Sequence, residues 1–276
     1  AGPSTVKVTK LTLSQIGLSN DSDVENMKIV DAAGLVYGNT VSALNANDTA
    51  VFTFPQPLEV AANSVKTVYL RVGVPASGST TGNSIQFSLK SGADVVTASN
   101  ATISGSFPFT GSAFNIIGAT VGTAVVAQDG TTSDATPDSG DTDVILNKFK
   151  VTAGATEDIL IESLTFKEAG TASVSDYNNV ELWDASKNVS LGQASFNAEG
   201  KVHFSGLNII VQEGKTQRFV VRTDVVSGAG LTMNVDLVEG SSDVLMAVRG
   251  QKLGFYLTPT VSNSWNGKGS SDQTIN

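Results

Sequence analysis

The chain has 276 residues, 40% hydrophobic and only 16% charged, with a formal net charge of −9 and a pI near 4.6. Its length accommodates two domains of roughly 100 to 150 residues, and its acidity disfavours nucleic-acid phosphates and anionic membrane surfaces as partners. The absence of cysteine excludes disulfides, thiolate metal sites and cysteine nucleophiles, and no run of about 18 apolar residues marks a membrane-inserting helix.

In chain order, AGPSTVKVTK has neither the basic start nor the apolar stretch of a signal peptide, a beginning that suits a mature end. Val6, Val8, Leu11 and Leu13 predict a strand with one irregularity. A polar loop over residues 17–26 follows, then a short strand at Met27 to Asp31. Leu35 to Tyr37 and Val41 to Leu44 are further short strands. Ala50 to Phe54 ends at Pro55 and Pro57, which argue for a strand end or an edge. Val65 to Val74 alternates cleanly, with Val68, Leu70 and Val72 on one face and Tyr69 and Arg71 on the other. Ile85, Phe87 and Leu89 alternate again, and Val95 to Ile103 completes the series.

This series then repeats. LTLSQIGLSNDSDVENMKIVD (Leu11 to Asp31) and LTFKEAGTASVSDYNNVELWD (Leu164 to Asp184) share one pattern 153 residues apart, without a gap. Leu11 falls on Leu164, Leu13 on Phe166, Gly17 on Gly170, Asp23 on Asp176, Asn26 on Asn179 and Asp31 on Asp184. Further on, FVVRTDV (Phe219 to Val225) repeats Val68 to Val74, and Arg222 falls on Arg71. A repeat this long reads as a duplicated domain. Without sustained helical periodicity, and with β-branched residues dominating many short segments, the fold class is all-β: two tandem antiparallel β-sandwiches. The domains are residues 1–110, a linker over 111–143 with an acidic loop, and residues 144–276 with a polar tail.

The copies differ at one point. VILNKFKV (Val144 to Val151) is a strand preceding the second copy, and the first copy has no equivalent. The expectation is a sandwich lacking its first strand, with an apolar groove and an open edge. Ala113 to Val126, Leu253 to Val261 or a strand from a neighbouring subunit would fill it.

No nucleophile elbow, zincin, phosphate-loop or dinucleotide motif occurs, so the protein is read as non-enzymatic. The single histidine, His203, alternates with Val202 and Phe204 and is expected on the solvent face. Pairs such as Asp21 and Asp23 read as turn-formers. The strongest chemical signal is the linker, where Asp129, Asp134, Asp138, Asp141 and Asp143 fall close together among glycines. Such oxygen-rich, flexible loops can hold calcium, although a solvated linker accounts for them as well. The repeated loops at Asn20 to Asn26 and Ser173 to Asn179 form a weaker second candidate. No cofactor is required. Asn20, Asn47, Asn100 and Asn188 open NxS/T sequons and are candidate glycan acceptors in an exported protein.

The pattern LTF…G…SD…N(V/M)(E/K)L(W/V)D, then VxF, IIVQEGK and FVVRTDV, resembles Ig-like repeat domains of prokaryotic cell-surface proteins, of surface-layer, adhesin or extracellular filament type. The resemblance covers roughly Val6 to Val96 and Val144 to Val244 and implies structural or adhesive roles without catalytic residues. The sequence therefore reads as a structural subunit of an extracellular or cell-surface assembly, linked to copies of itself by strand or edge complementation. The alternative is an adhesin or carbohydrate-binding domain pair. For that alternative the aromatic candidates are Trp183, Trp265, Tyr37, Tyr69, Tyr177 and Tyr256, with Trp183 and Tyr177 flanking one repeated loop.

Overall fold

The computed structural model describes residues 1–130, 136–239, 243–262 and 273–276. The chain divides into two units, Ala1–Ala119 and Thr120–Asn276. Each is built almost entirely of short antiparallel strands packed as facing sheets, so the fold is of all-β sandwich type.

Unit 1 contains β1 (Val6–Gln15), β2 (Glu25–Val30), β3 (Val36–Val41), β4 (Thr49–Val60), β5 (Tyr69–Gly73), β6 (Ser84–Ile85), β7 (Phe87–Leu89), β8 (Val95–Thr97), β9 (Phe109–Thr110) and β10 (Phe114–Asn115). One sheet runs β4-β1-β7-β9, with β8 also on β1. The other runs β3-β2-β5, and β6 pairs with β10. Phe52, Met27 and Ile29 are fully enclosed between them, with Phe54 and Ala50 alongside.

Unit 2 contains β11 (Ala124–Gln128), β12 (Val144–Ala153), β13 (Ile159–Glu168), β14 (Tyr177–Asp184), β15 (Val189–Ala194), β16 (Lys201–Val211), β17 (Thr216–Val225), β18 (Thr232–Met233), β19 (Val235–Asp236), β20 (Val238–Glu239), β21 (Asp243–Val244), β22 (Met246–Gly250), β23 (Thr260–Val261) and β24 (Gln273–Thr274). One sheet runs β16-β13-β19, with β22 on β13. The other runs β15-β14-β17-β12-β11-β23, and its last pairing is parallel. Phe149 stacks on Phe219 at 5.1 Å and tilts against Phe166 at 5.6 Å, at the centre of the core.

The repeat seen in the sequence is a repeat of structure. β1 to β5 recur as β13 to β17. The irregularity expected in the first strand is a β-bulge between Val8 and Lys10, and β13 carries the matching bulge between Ile161 and Ser163. Asn26 and Asn179 share left-handed backbone, at φ 47° and 49°, which asparagine tolerates better than most residues. At Gly17 a Cβ would meet the Ser84 carbonyl oxygen at 1.9 Å, and at Gly170 it would meet that of Thr232 at 2.1 Å. Both positions therefore exclude a side chain.

Three expectations need correction. β4 does not end at Pro55; it continues to Val60. Its ladder with β1 skips from Thr53 to Leu58 across the bulge, and among the described residues no further strand pairs with its other side, so the prolines break no ladder bond there. In place of two strands at Leu35 to Tyr37 and Val41 to Leu44 there is one, β3, over Val36–Val41. The alternation over Val65 to Val74 yields a strand only at Tyr69–Gly73. In unit 2 the corresponding residues 216–218 pair with β12 alone, because β14 reaches only as far as Phe219. Among the described residues no strand stands beside β5 as β12 stands beside β17; residues 65–68 lie outside any strand, and Val65 is 91% exposed.

Candidate functional site

The most informative position is a strand slot that unit 2 fills and unit 1 does not. In unit 2, β12 lies antiparallel to β17, pairing Phe149 with Phe219 and Ile145 with Arg222. Leu146, Phe149, Val151 and Ala153 point inward and are fully enclosed. In unit 1 the equivalent of β17 is β5, whose inner edge pairs with β2. Among the described residues no strand lies along its outer edge.

Burial follows the slot. Ile161, Leu164, Phe166, Phe219 and Val221 are 0% exposed, whereas their counterparts Val8, Leu11, Leu13, Val68 and Leu70 are only half-buried. Val72 shares that half-buried surface. Similar sequence in an equivalent frame thus shows apolar surface wherever β12 would cover it. The in-chain fillers expected from sequence serve elsewhere. Within Ala113 to Val126, β10 pairs with β6 and the residues of β11 pair with β12. Within Leu253 to Val261, β23 pairs with β11. Neither reaches β5, because each already has its own ladder.

Ala1 lies beside the residues that precede β5. The Ala1 amino group donates to the Ser64 carbonyl at 2.7 Å, as the Ala153 N–H at the end of β12 donates to Lys215 at 3.0 Å. The Asn63 N–H donates to the Gly2 carbonyl, as Gly214 does to Gly154. Ala1 therefore occupies the position of the last residue of β12.

The acidic linker residues take separate structural roles. Asp129 pairs with Arg218, and Asp143 lies 3.8 Å from Arg222, four residues along β17. Asp138 and Asp141 close a turn on each other, the Asp138 N–H donating to Asp141 Oδ2 at 2.9 Å. Asp134 lies outside the described residues. Among the described residues no three histidine, aspartate or glutamate side chains converge on a metal-sized site. The structure thus separates Asp129 from Asp143 and gives each a cation.

The repeated loops are turns built around buried carboxylates. Asp23 Oδ2 accepts the Asn20 N–H at 2.7 Å and Asn83 Nδ2 at 2.7 Å, while Oδ1 accepts the Thr80 N–H at 2.6 Å. The Asn83 amide and the Asn20 N–H hold this carboxyl below the usual carboxylate range; burial opposes them and Thr80 adds to them. Asp176 repeats the arrangement, accepting the Ser173 N–H at 2.7 Å and the Ser227 hydroxyl. Asp31 and Asp184 each cap a hairpin by accepting two backbone N–H groups. Sequence reading missed Glu157, which is 4% exposed and accepts the N–H groups of Gly122, Lys252 and Leu253. Burial pushes its carboxyl up, but those three donors outweigh it and the net shift is downward. No local pattern marked this residue, since its donors lie 35 and about 95 residues away along the chain.

His203 lies on the outer face of β16, as its alternation implied, but it is half-buried and hydrogen-bonded to the Thr165 hydroxyl at 2.8 Å. Asn20, Asn47, Asn100 and Asn188 are all exposed. Tyr177 is a core residue packed on Phe196 at 5.0 Å, its hydroxyl donating to Glu168. Trp183 lies on the opposite face of β14 with the Arg222 guanidinium 4.3 Å above its ring. The two form no shared patch. Tyr256 carries Arg249 in the same manner at 4.6 Å, Tyr37 carries Lys66, and Tyr69 is half exposed on β5. Trp265 lies outside the described residues.

No family model matches the chain, and no curated protein does. Among solved structures, a Corynebacterium diphtheriae protein described as membrane-anchored aligns at 9% identity with a TM-score of 0.19. That alignment covers 98% of this chain and 62% of the other protein. A likeness this low carries no argument about fold or role.

Proposed function

We propose that the protein is a structural subunit of an extracellular or cell-surface assembly, built from two Ig-like sandwiches and joined to copies of itself by β-strand or edge complementation. The observation behind this reading is the matched set of positions enclosed in unit 2 and half-open in unit 1. An open edge beside an apolar groove is the feature that strand addition uses, and a contact between different surfaces of two copies propagates rather than closes. The low charge content and the four exposed sequons suit a secreted chain. Asp23, Asp31, Asp176 and Asp184 serve turns, and Asp129 and Asp143 serve ion pairs; the reading itself invokes no catalysis and no cofactor.

Negative-stain electron microscopy beside size-exclusion chromatography, with and without calcium, tests it. Regular fibres or sheets that persist without calcium are expected. A monodisperse monomer under both conditions overturns the polymer reading, and strict calcium dependence returns the stretch from Asp129 to Asp143 to the centre of the mechanism.

A further inference from the structure

We infer that β11 and β23 form a latched edge of unit 2. Glu157 is the latch, and its release frees both strands together and uncovers the outer edge of β12. The latch stands whether or not the protein polymerises, because all of its parts lie within unit 2.

The carboxylate sits in a seat shaped for it. Glu157 lies in the turn between β12 and β13 and is 4% exposed. Oε1 accepts the Gly122 N–H at 2.7 Å, and Oε2 accepts the N–H groups of Lys252 at 2.7 Å and Leu253 at 3.4 Å. Two glycines make the room. A Cβ on Gly122 would meet Glu157 Cγ at 2.7 Å, and a Cβ on Gly250 would overlap the carboxylate oxygens. Neither glycine has left-handed backbone, so it is the closeness of Glu157 that excludes a side chain there. The two oxygens hold the two roots of one edge. Gly122 leads into β11, and Lys252 and Leu253 turn the chain from β22 toward β23. β11 and β23 then meet at the end of the six-stranded sheet, in a parallel pairing of Val125 with Thr260 and Val126 with Val261. Strands that arrive from distant parts of the chain are thus fastened at one side chain.

The other fastenings of this edge are light. β11 forms a five-residue ladder with β12, but only Ala124 and Val126 of β11 are enclosed, where β12 encloses Leu146, Phe149, Val151 and Ala153. β23 is two residues long, and parallel pairing is the less stable kind. Beyond the far end of β11, Asp129 pairs with a half-exposed Arg218, and exposed ion pairs add little. Between the turn and β23 the chain is tacked down at Leu257, which is buried and donates its N–H to the Val248 carbonyl at 2.9 Å. A buried carboxylate with three donors makes stronger hydrogen bonds than neutral groups do. Local opening begins where burial is least, and here one latch makes two strands open as one piece. The β12 backbone groups that face β11 then become a bare edge, the kind of template to which strands add.

Residue-resolved amide hydrogen exchange on the full chain tests the latch, comparing the unaltered protein with Glu157→Gln, Gly250→Ala and Asp129→Asn. In Glu157→Gln an amide nitrogen replaces one of the two acceptors, so one root of the edge loses its partner. Exchange at Ala124–Gln128 and at Thr260–Val261 should rise at least about tenfold and by similar factors, the response of one cooperative opening unit. The β12 N–H groups that face β11 should accelerate with them, while those that face β17, and the strands Ile159–Glu168 and Tyr177–Asp184, stay unchanged. Gly250→Ala leaves the carboxylate intact but pushes it from its seat, and it should give the same pattern; it decides the matter if Glu157→Gln does not fold. Asp129→Asn loosens only the far end and should speed β11 without β23. Acceleration of β11 or β23 alone in Glu157→Gln and Gly250→Ala, equal acceleration throughout unit 2, or no acceleration overturns the inference. So does a β12 edge that stays protected while β11 opens.

Discussion

Unit 1 and unit 2 share a strand plan, a bulge position, two left-handed asparagines and two close-packed glycines, yet their cores differ greatly. Among the described residues the cluster in unit 2 holds 30 buried apolar residues and that in unit 1 holds 10. Leu11, Leu13 and Leu70 are no less apolar than their counterparts, so composition is not the cause. The cause is the neighbour that each strand has. β1 is paired on both edges, yet Leu11 and Leu13 stay half-buried because, among the described residues, no strand covers them as β12 covers Leu164 and Phe166; β5, paired on one edge, leaves Leu70 half open. Strand complementation in unit 2 thus shows what its absence in unit 1 does.

The sharpest way to break this comparison is amide exchange at the two equivalent strands. β17 is bonded on both edges, so its amides should exchange only on global opening of unit 2. Along β5 the alternate N–H groups facing the open edge should exchange at nearly free rates. The expected contrast is at least about a thousandfold, the gap between local fraying and a global stability of several kcal/mol. Equal protection at both strands would mean that β5 is already covered.

Next in size is the core residue supplied by the filled slot. Phe149→Ala should cost unit 2 about 3–5 kcal/mol, because the ring is fully enclosed and stacked on Phe219. Both tryptophans, Trp183 and Trp265, fall within unit 2, so fluorescence-detected urea unfolding follows that unit. Leu70→Ala, beside the open slot of unit 1, should cost only roughly 1–2 kcal/mol by exchange-derived stability, since much of its surface is never covered. A Leu70→Ala loss as large as that of Phe149→Ala would show the slot to be filled.

Much of this architecture was legible in the sequence, for reasons particular to the residues. The bulge after Val8 showed as a break in alternation, and the repeated aspartates and asparagines showed as turn-formers because short side chains cap backbone locally. That residues 1–119 hold no counterpart of Val144 to Val151 showed because a repeat makes such a difference visible. What stayed hidden was long-range pairing. Nothing local in Ala113 to Val126 says that its first half joins β6 and its second half joins β12. Nothing near Asp129 names Arg218 as its partner, so an acidic run that reads equally as a solvated linker or a cation loop gave no sign of the two ion pairs and the turn that its described residues make. The Val65 to Val74 alternation over-predicted β5 for the same reason: pattern reports the face a strand would bury, whereas pairing decides whether the strand forms.

A smaller effect asks whether the two frames are equivalent where the slot plays no part. Gly17→Ala and Gly170→Ala each force a methyl group into a carbonyl oxygen at about 2 Å. Each should destabilise its own unit by about 1–3 kcal/mol, the range for overpacking. Similar losses by thermal unfolding would confirm that the loop and the close-packed strand behind it are independent of complementation. A loss confined to one unit would show that the open edge loosens unit 1 as far as this loop.

The smallest effect is electrostatic and sharpens the same point at Asp23. Its carboxyl is held below its ordinary value by the Asn83 amide and the Asn20 and Thr80 N–H groups. In the unfolded chain the group protonates near pH 4, and in the folded unit it does so at lower pH. The unfolded state therefore binds more protons across that window, so the contribution of Asp23 is complete above about pH 4 and fades as pH falls through the folded value. Asp23→Asn should remove that part of the acid sensitivity of unit 1 and cost about 1–3 kcal/mol at neutral pH, since an amide cannot accept all three donors. The donors of Asp23 lie in the loops at Asn20, Thr80 and Asn83, so Asn83→Ala should shrink the same acid limb. An acid limb unchanged by both Asp23→Asn and Asn83→Ala would mean that another carboxylate sets the acid sensitivity of unit 1.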